Sequence, residues 1–189
     1  QTWGGCVYHM TCRGSRFADG AQRNPNGEVF MKNRETDEWL TQNQRSTRNF
    51  LRKWGHYCKH DNLMKPIIPP KYNIQFIIEN GNYSLLQTLE PWCDNINIDI
   101  EKSEIDKYIK KEQPDTDYNL SERINQNVSN DIQITFDGSK FSQSSFNIIQ
   151  QLSAILESNK IEVGEFEIDI FKIKVNRAKT YEHELICRK

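Results

Sequence analysis

Tyr72-Asn73-Ile74-Gln75-Phe76-Ile77-Ile78, then Asn80-Gly81-Asn82, then Tyr83-Ser84-Leu85-Leu86-Gln87-Thr88-Leu89 is the stretch that decides the fold. Ile74, Phe76 and Ile78 alternate along the chain, the period of a strand that buries one face. Asn-Gly-Asn is turn chemistry. Leu85, Leu86 and Leu89 then fall on one side of a short helix over residues 83–92. Strand, turn and helix in immediate succession read as a mixed α/β chain.

The same alternation continues downstream. Ile96, Ile98 and Ile100 predict a second strand, and Ile132, Ile134 and Phe136 a third, closed by Asp137-Gly138. Between them, residues 101–130 are polar and charged; the pattern allows one short helix near 104–111 and otherwise predicts a mobile segment. Ser142 is placed to cap a helix carrying Phe146, Ile149, Leu152, Ile155 and Leu156. Residues 161–175 predict two short strands. The order matches a split βαβ sandwich of the ferredoxin-like βαββαβ kind with an extra strand.

Upstream the texture changes. Pro66 and Pro69-Pro70 form a stiff break. It divides the sequence into residues 1–65, a linker at 66–71, and an α+β accessory domain at 72–189. Thr36 is a good N-cap, Asp37 and Glu38 suit the first turn of a helix, and Gly55 stops it. Trp39, Leu40, Thr47, Phe50, Leu51 and Trp54 are the expected buried stripe of that helix. Residues 3–10 predict a strand, with Val7, Tyr8 and Met10 as apolar content. Residues 13–33 show neither period and predict a long loop.

Bulk properties agree with two unlike parts. Of the 189 residues, the first 65 carry eleven Lys/Arg against six Asp/Glu, whereas the remainder carries fourteen against twenty. The first part therefore faces an anion more readily than the second. Five scattered cysteines, Cys6, Cys12, Cys58, Cys93 and Cys187, do not make a disulfide framework, and reduced thiols predict a cytoplasmic protein. The sequons at Asn82, Asn119 and Asn127 are expected by chance in so Asn-rich a chain. No apolar run approaches the roughly 18 residues of a membrane span. Gln1-Thr2-Trp3-Gly4-Gly5 reads like the interior of a domain, so the expectation is that an upstream portion precedes it.

Chemistry concentrates in Tyr8-His9-Met10-Thr11-Cys12-Arg13-Gly14-Ser15-Arg16. An imidazole at a strand end precedes two guanidiniums, hydroxyls and a glycine. Arginine forks match phosphate oxygens, a glycine lets backbone N–H groups approach a diphosphate, and a neutral imidazole ligates divalent ions. The residue types describe half of a nucleotide-diphosphate site, and equally a solvated surface turn beside a core histidine.

The run Trp3-Gly4-Gly5-Cys6-Val7-Tyr8-His9-Met10-Thr11-Cys12-Arg13-Gly14-Ser15-Arg16-Phe17, with Asn49-Phe50-Leu51 and Lys53-Trp54-Gly55 after it, resembles the end of the catalytic domain of family 2-type glycosyltransferases. The resemblance covers roughly residues 3–60. It implies the carboxyl-terminal end of a GT-A, Rossmann-like catalytic domain and transfer of a sugar from a nucleoside-diphosphate-sugar donor to the hydroxyl of a glycan or other acceptor. It also implies His9 as a ligand of Mn²⁺ or Mg²⁺ or a contact to the diphosphate, with Arg13, Ser15 and Arg16 in the turn over the donor's diphosphate. The Asp-x-Asp metal motif and catalytic base of that family lie upstream of such a strand, so no catalytic base is assigned.

Two other readings use other residues. Cys6, His9 and Cys12 with His56, Cys58 and His60 have the ligand types of a zinc site, although Cys6 and His9 diverge on a persisting strand. Arg45, Arg48, Arg52 and Lys53, with Trp39, Phe50 and Trp54 nearby, form a basic helix for an anionic polymer. The aromatics of that helix read better as core, and nucleic acid is not the expected partner.

Overall fold

A computed structural model describes residues 21–23, 29–31, 36–67, 69–158 and 162–178. The chain divides into two compact units, residues 1–46 and 47–189. The division falls inside a helix and not at the prolines: residues 47–65, which the sequence reading sets ahead of the boundary, belong with the sheet-bearing unit.

In the first unit, β1 (Ala21–Arg23) pairs antiparallel with β2 (Val29–Met31), where the sequence predicts only loop. Val29-Phe30-Met31 suits a strand, but three residues are too few for a period to show. Helix α1 (Asp37–Trp54) has its expected start and stop. The Thr36 Oγ1 accepts from the Trp39 amide at 3.3 Å. Gly55 ends the helix at φ +74°, a left-handed conformation that favours glycine.

The second unit begins in the latter half of α1. A short hairpin follows, β3 (Lys59–His60) against β4 (Pro66–Ile67), so part of the expected linker is paired. Then come β5 (Ile74–Glu79), α2 (Tyr83–Leu89), a 3₁₀ turn (Glu90–Trp92) and β6 (Asn95–Ile98). Next are α3 (Lys102–Glu112), a second 3₁₀ turn (Gln113–Asp115), α4 (Leu120–Arg123) and β7 (Ile132–Asp137). A third 3₁₀ turn (Gly138–Lys140) leads to α5 (Gln143–Ser158), β8 (Gly164–Ile168) and β9 (Phe171–Val175).

These strands form one mixed sheet in the order β6-β5-β7-β9-β8. β5 lies parallel to both β6 and β7, and β9 is antiparallel to β7 and to β8. This arrangement replaces the expected ferredoxin-like βαββαβ sandwich. The reason is the stretch 101–130: it holds α3 and α4 and is no mobile linker, so β6 and β7 are joined by a helical crossover that leaves the strands parallel. Its apolar residues are few, yet Ile105, Tyr108, Leu120 and Ile124 are all buried.

Alternation sets the core. Ile74, Phe76 and Ile78 of β5, Ile96 and Ile98 of β6, Ile132, Ile134 and Phe136 of β7, and Phe171, Ile173 and Val175 of β9 are buried together with Leu85, Leu86 and Leu89 of α2 and Ile149, Leu152 and Leu156 of α5. Each such side chain contributes about 1.5–3 kcal/mol on burial. The intervening residues are polar, apart from Ile77 of β5. Gln133 Nε2 donates to Gln75 Oε1 at 3.1 Å, which allows Gln75 to be buried. On the outer hairpin, Lys174 faces Glu165 at 3.5 Å and Lys172 faces Glu167 at 3.8 Å.

Gly138 joins β7 to the 3₁₀ turn at a close approach of two loops. A methyl group there would lie 2.8 Å from Leu85 Cδ1 and 2.9 Å from the Asn80 carbonyl oxygen. Gly138→Ala is expected to destabilise the chain by about 1–3 kcal/mol through overpacking; urea denaturation, read as a lowered midpoint at unchanged slope, checks it.

Candidate functional site

His9, Arg13, Ser15 and Arg16, the residues on which the sequence reading places diphosphate and metal binding, lie outside the described residues. The described half of the zinc reading does not converge. His56 is buried, with Nδ1 2.7 Å from the Tyr57 carbonyl oxygen, whereas Cys58 and His60 are exposed. No three His, Cys, Asp or Glu side chains among the described residues group so as to hold a metal ion.

The basic helix is turned to another purpose. Arg48 and Arg52 face inward and meet carboxylates contributed by the turn after α2 and by α3. Arg48 is bidentate on Glu112, Nε to Oε1 and Nη2 to Oε2, both at 2.7 Å. Arg52, 1 % exposed, donates to both oxygens of Glu90, with Nη2 2.6 Å from Oε2, and to Glu112 Oε1 at 3.0 Å. Its Nη1 donates to Asn49 Oδ1 at 2.8 Å. From the other side Arg123 Nε donates to Glu90 Oε1 at 2.7 Å, and its Nη2 to the carbonyl oxygens of Glu90 and Cys93. Tyr108 Oη donates to Glu90 Oε2 at 2.9 Å.

This arrangement also corrects the expected stripe of α1. Of its apolar residues only Leu51 is buried, while Trp39, Leu40 and Phe50 remain exposed. The inward side of the second unit's portion of α1 is set by arginines with partners, and the aromatic face is left outside.

The electrostatics follow from the geometry. Burial opposes the charge on Glu90, but the Arg123 and Arg52 guanidiniums outweigh it and hold the carboxyl below the usual range. Glu112 is likewise depressed: burial opposes its charge, and Arg48 and then Arg52 prevail. Burial, reinforced by the Glu90 charge, pushes the Tyr108 phenol up. Burial also pushes up the Cys93 thiol beneath Arg123, which makes it an inert core residue. Both Glu90 oxygens are saturated by donors, so neither can act as a general base. The cluster holds structure together and does no chemistry.

One further polar arrangement lies where sheets of this type bind ligands. The strand order reverses between β5 and β7, and in open parallel sheets ligands sit outside the carboxyl ends of the strands at such a point. Here Asn80 Nδ2 donates to Asp137 Oδ1 at 3.2 Å, and the Ser139 amide and hydroxyl donate to the same oxygen at 3.0 and 2.7 Å. These donors, Ser139 foremost, hold the Asp137 carboxyl below its ordinary range. With Gly138 packed against the Asn80 carbonyl, the two loops are laced together through Asp137 Oδ1.

The sequence reading missed both arrangements. Glu90 carried a usable signal: it is one charge among Leu85, Leu86, Leu89, Pro91 and Trp92, where only a paired carboxylate is tolerated. Asn80 and Asp137 carried none beyond turn chemistry, because their proximity follows from parallel pairing.

No protein-family model matches the chain, and no curated protein or solved structure is significantly similar to it. No described helix is long and apolar enough to cross a membrane.

Glu90→Gln leaves two buried guanidiniums short of a charge partner and is expected to cost about 3–5 kcal/mol, measured by chemical denaturation. The native chain is expected to keep the stabilisation from Glu90 and Glu112 in full above the unfolded carboxylate value of roughly 4.3 and to lose it as pH falls through their depressed folded values. Acid unfolding followed by circular dichroism checks this, with a shallower acid limb in the Glu90→Gln variant.

Proposed function

We propose that the chain carries the carboxyl-terminal end of a family 2-type, GT-A glycosyltransferase catalytic domain, followed by an α/β accessory module. The observation that carries this reading is the paired motif: Val7-Tyr8-His9 running into Arg13-Gly14-Ser15-Arg16, with Lys53-Trp54-Gly55 at the end of the next helix. The course of α1 is in keeping with it, since the helix finishes at Trp54 and Gly55 turns the chain.

In this reaction an acceptor hydroxyl attacks the anomeric carbon of a nucleoside-diphosphate sugar. The bond from that carbon to the diphosphate oxygen breaks, the diphosphate leaves with the electron pair, and the hydroxyl proton passes to a base. Arg13 and Arg16 would bind the leaving diphosphate and offset its growing charge, and Ser15 would donate a hydrogen bond to it. His9 would ligate a divalent ion, Mn²⁺ or Mg²⁺, whose contribution is to neutralise the diphosphate. The base and the carboxylate ligands would come from parts of the polypeptide other than these residues. A cytoplasmic site of action fits the odd, scattered set of five cysteines in the sequence.

Recognition of an anionic polymer by the basic face of α1 is the weaker reading. Arg48 and Arg52, half of the four cations it needs, are engaged with Glu112 and Glu90. The test is calorimetric titration of uridine and guanosine diphosphates into the full-length protein with and without Mn²⁺. Metal-dependent binding that His9→Ala weakens by at least about tenfold supports the transferase reading, since a lost ligand costs 10–100-fold in metal sites; binding indifferent to metal and to His9 overturns it.

A further inference from the structure

The acidic module carries one strongly positive face. Along α3, Ser103, Asp106, Lys107, Lys110 and Lys111 line an open cleft of about 590 Å³. These residues recur at three- and four-residue intervals, so they share one side of the helix over about 12 Å, at 1.5 Å per residue. All five are exposed. The buried side of the same helix is Ile105, Tyr108 and Glu112, so the lysines project from the face that the core leaves free.

The three ammonium groups differ from the module's arginines in having no carboxylate partner among the described residues. Arg48, Arg52 and Arg123 all sit in ion pairs, whereas Lys107, Lys110 and Lys111 form none with any described residue. Asp106, one turn before Lys110, does not pair with it either. The Lys107 ammonium instead lies 5.3 Å above the centre of the Tyr83 ring, which holds the charge without neutralising it.

We propose that this face of α3 binds an acidic glycan, a polyhydroxylated chain bearing spaced carboxylates. The lysines would meet the carboxylates, and Asp106 and Ser103 would accept and exchange hydrogen bonds with hydroxyls. The carboxylate of Asp106 among the lysines argues against a densely charged polyanion, which it would repel, and favours a sparsely charged one. The stripe carries no exposed aromatic side chain on which bases could stack, so single-stranded nucleic acid lacks its main contact. It carries no exposed apolar side chain to enter a bilayer either. That the glycan serves as acceptor rests on the transferase reading; the positive face does not.

The experiment titrates the full chain with a uronate-containing hexasaccharide of hyaluronan, with maltohexaose as the neutral counterpart, with a thymidylate hexamer, and with phosphatidylserine vesicles. The expected result is salt-sensitive binding of the uronate hexasaccharide alone, with amide shifts along residues 103–111. Replacing Lys107, Lys110 and Lys111 together by Gln is expected to weaken it at least about tenfold, a loss of roughly 1.4 kcal/mol, and replacing them by Arg to restore it. Absence of binding, binding unchanged by the Gln variant, or equal binding of the oligonucleotide or the vesicles overturns the proposal. Metal-dependent nucleoside diphosphate binding by the full-length protein reads the transferase assignment separately, since it does not involve these lysines.

Discussion

A single carboxylate, Glu90, is the constraint on which the second unit turns. It is fully buried at the end of α2, and its two oxygens collect Arg52 from α1, Arg123 from α4 and the Tyr108 hydroxyl from α3. Four helical elements, which also share the apolar core through Leu51, Leu89, Tyr108 and Leu120, are thereby tied to one polar point. An isolated ionised group so deep in protein would be strongly disfavoured, and its partners would be equally costly alone. The group is tolerable only as a complete set. That makes the cluster a specification of geometry more than a reservoir of stability, because apolar residues of the same shape could fill the space at comparable free energy.

The division of labour within the chain follows. The sheet and its apolar layer supply burial, chiefly through alternating isoleucines and phenylalanines. The charges on α1, α3 and α4 supply orientation. The reversal of strand order, which in related architectures opens a crevice, is here spanned by the contact of Gly138 with Asn80 and by the donors around Asp137. The described residues of the module therefore resemble a rigid platform more than a catalytic centre. The chemistry-bearing residue types remain in the N-terminal motif.

Much of the sheet was legible in the sequence because period-two alternation is a local property. Ile74, Phe76 and Ile78, and Ile132, Ile134 and Phe136, announce their strands without reference to anything distant. The ends of α1 were equally legible, since Thr36 and Gly55 act on backbone groups beside them. What failed was everything that depends on a partner elsewhere in the chain. Residues 101–130 read as mobile because their charges look solvated, yet Glu112 and Arg123 are spent inside. The stripe of α1 read as apolar because Trp39, Leu40 and Phe50 have helical spacing, yet its inward side is set by Arg48 and Arg52. Parallel pairing of β7 with β5 is likewise invisible locally, and with it goes the meeting of Asn80 and Asp137.

The outer strand β8 has a consequence for how the protein behaves in company. Its free main-chain groups border the sheet, and on that border stand Glu165 and Glu167, held by Lys174 and Lys172 of the neighbouring strand. An incoming strand would have to bring its own side chains against two exposed carboxylates and the lysines beside them, on a segment of five residues that starts with glycine. Such a margin is a poor template for self-association. A sheet whose interior is isoleucine and phenylalanine thus presents charge, not apolar surface, along its β8 margin.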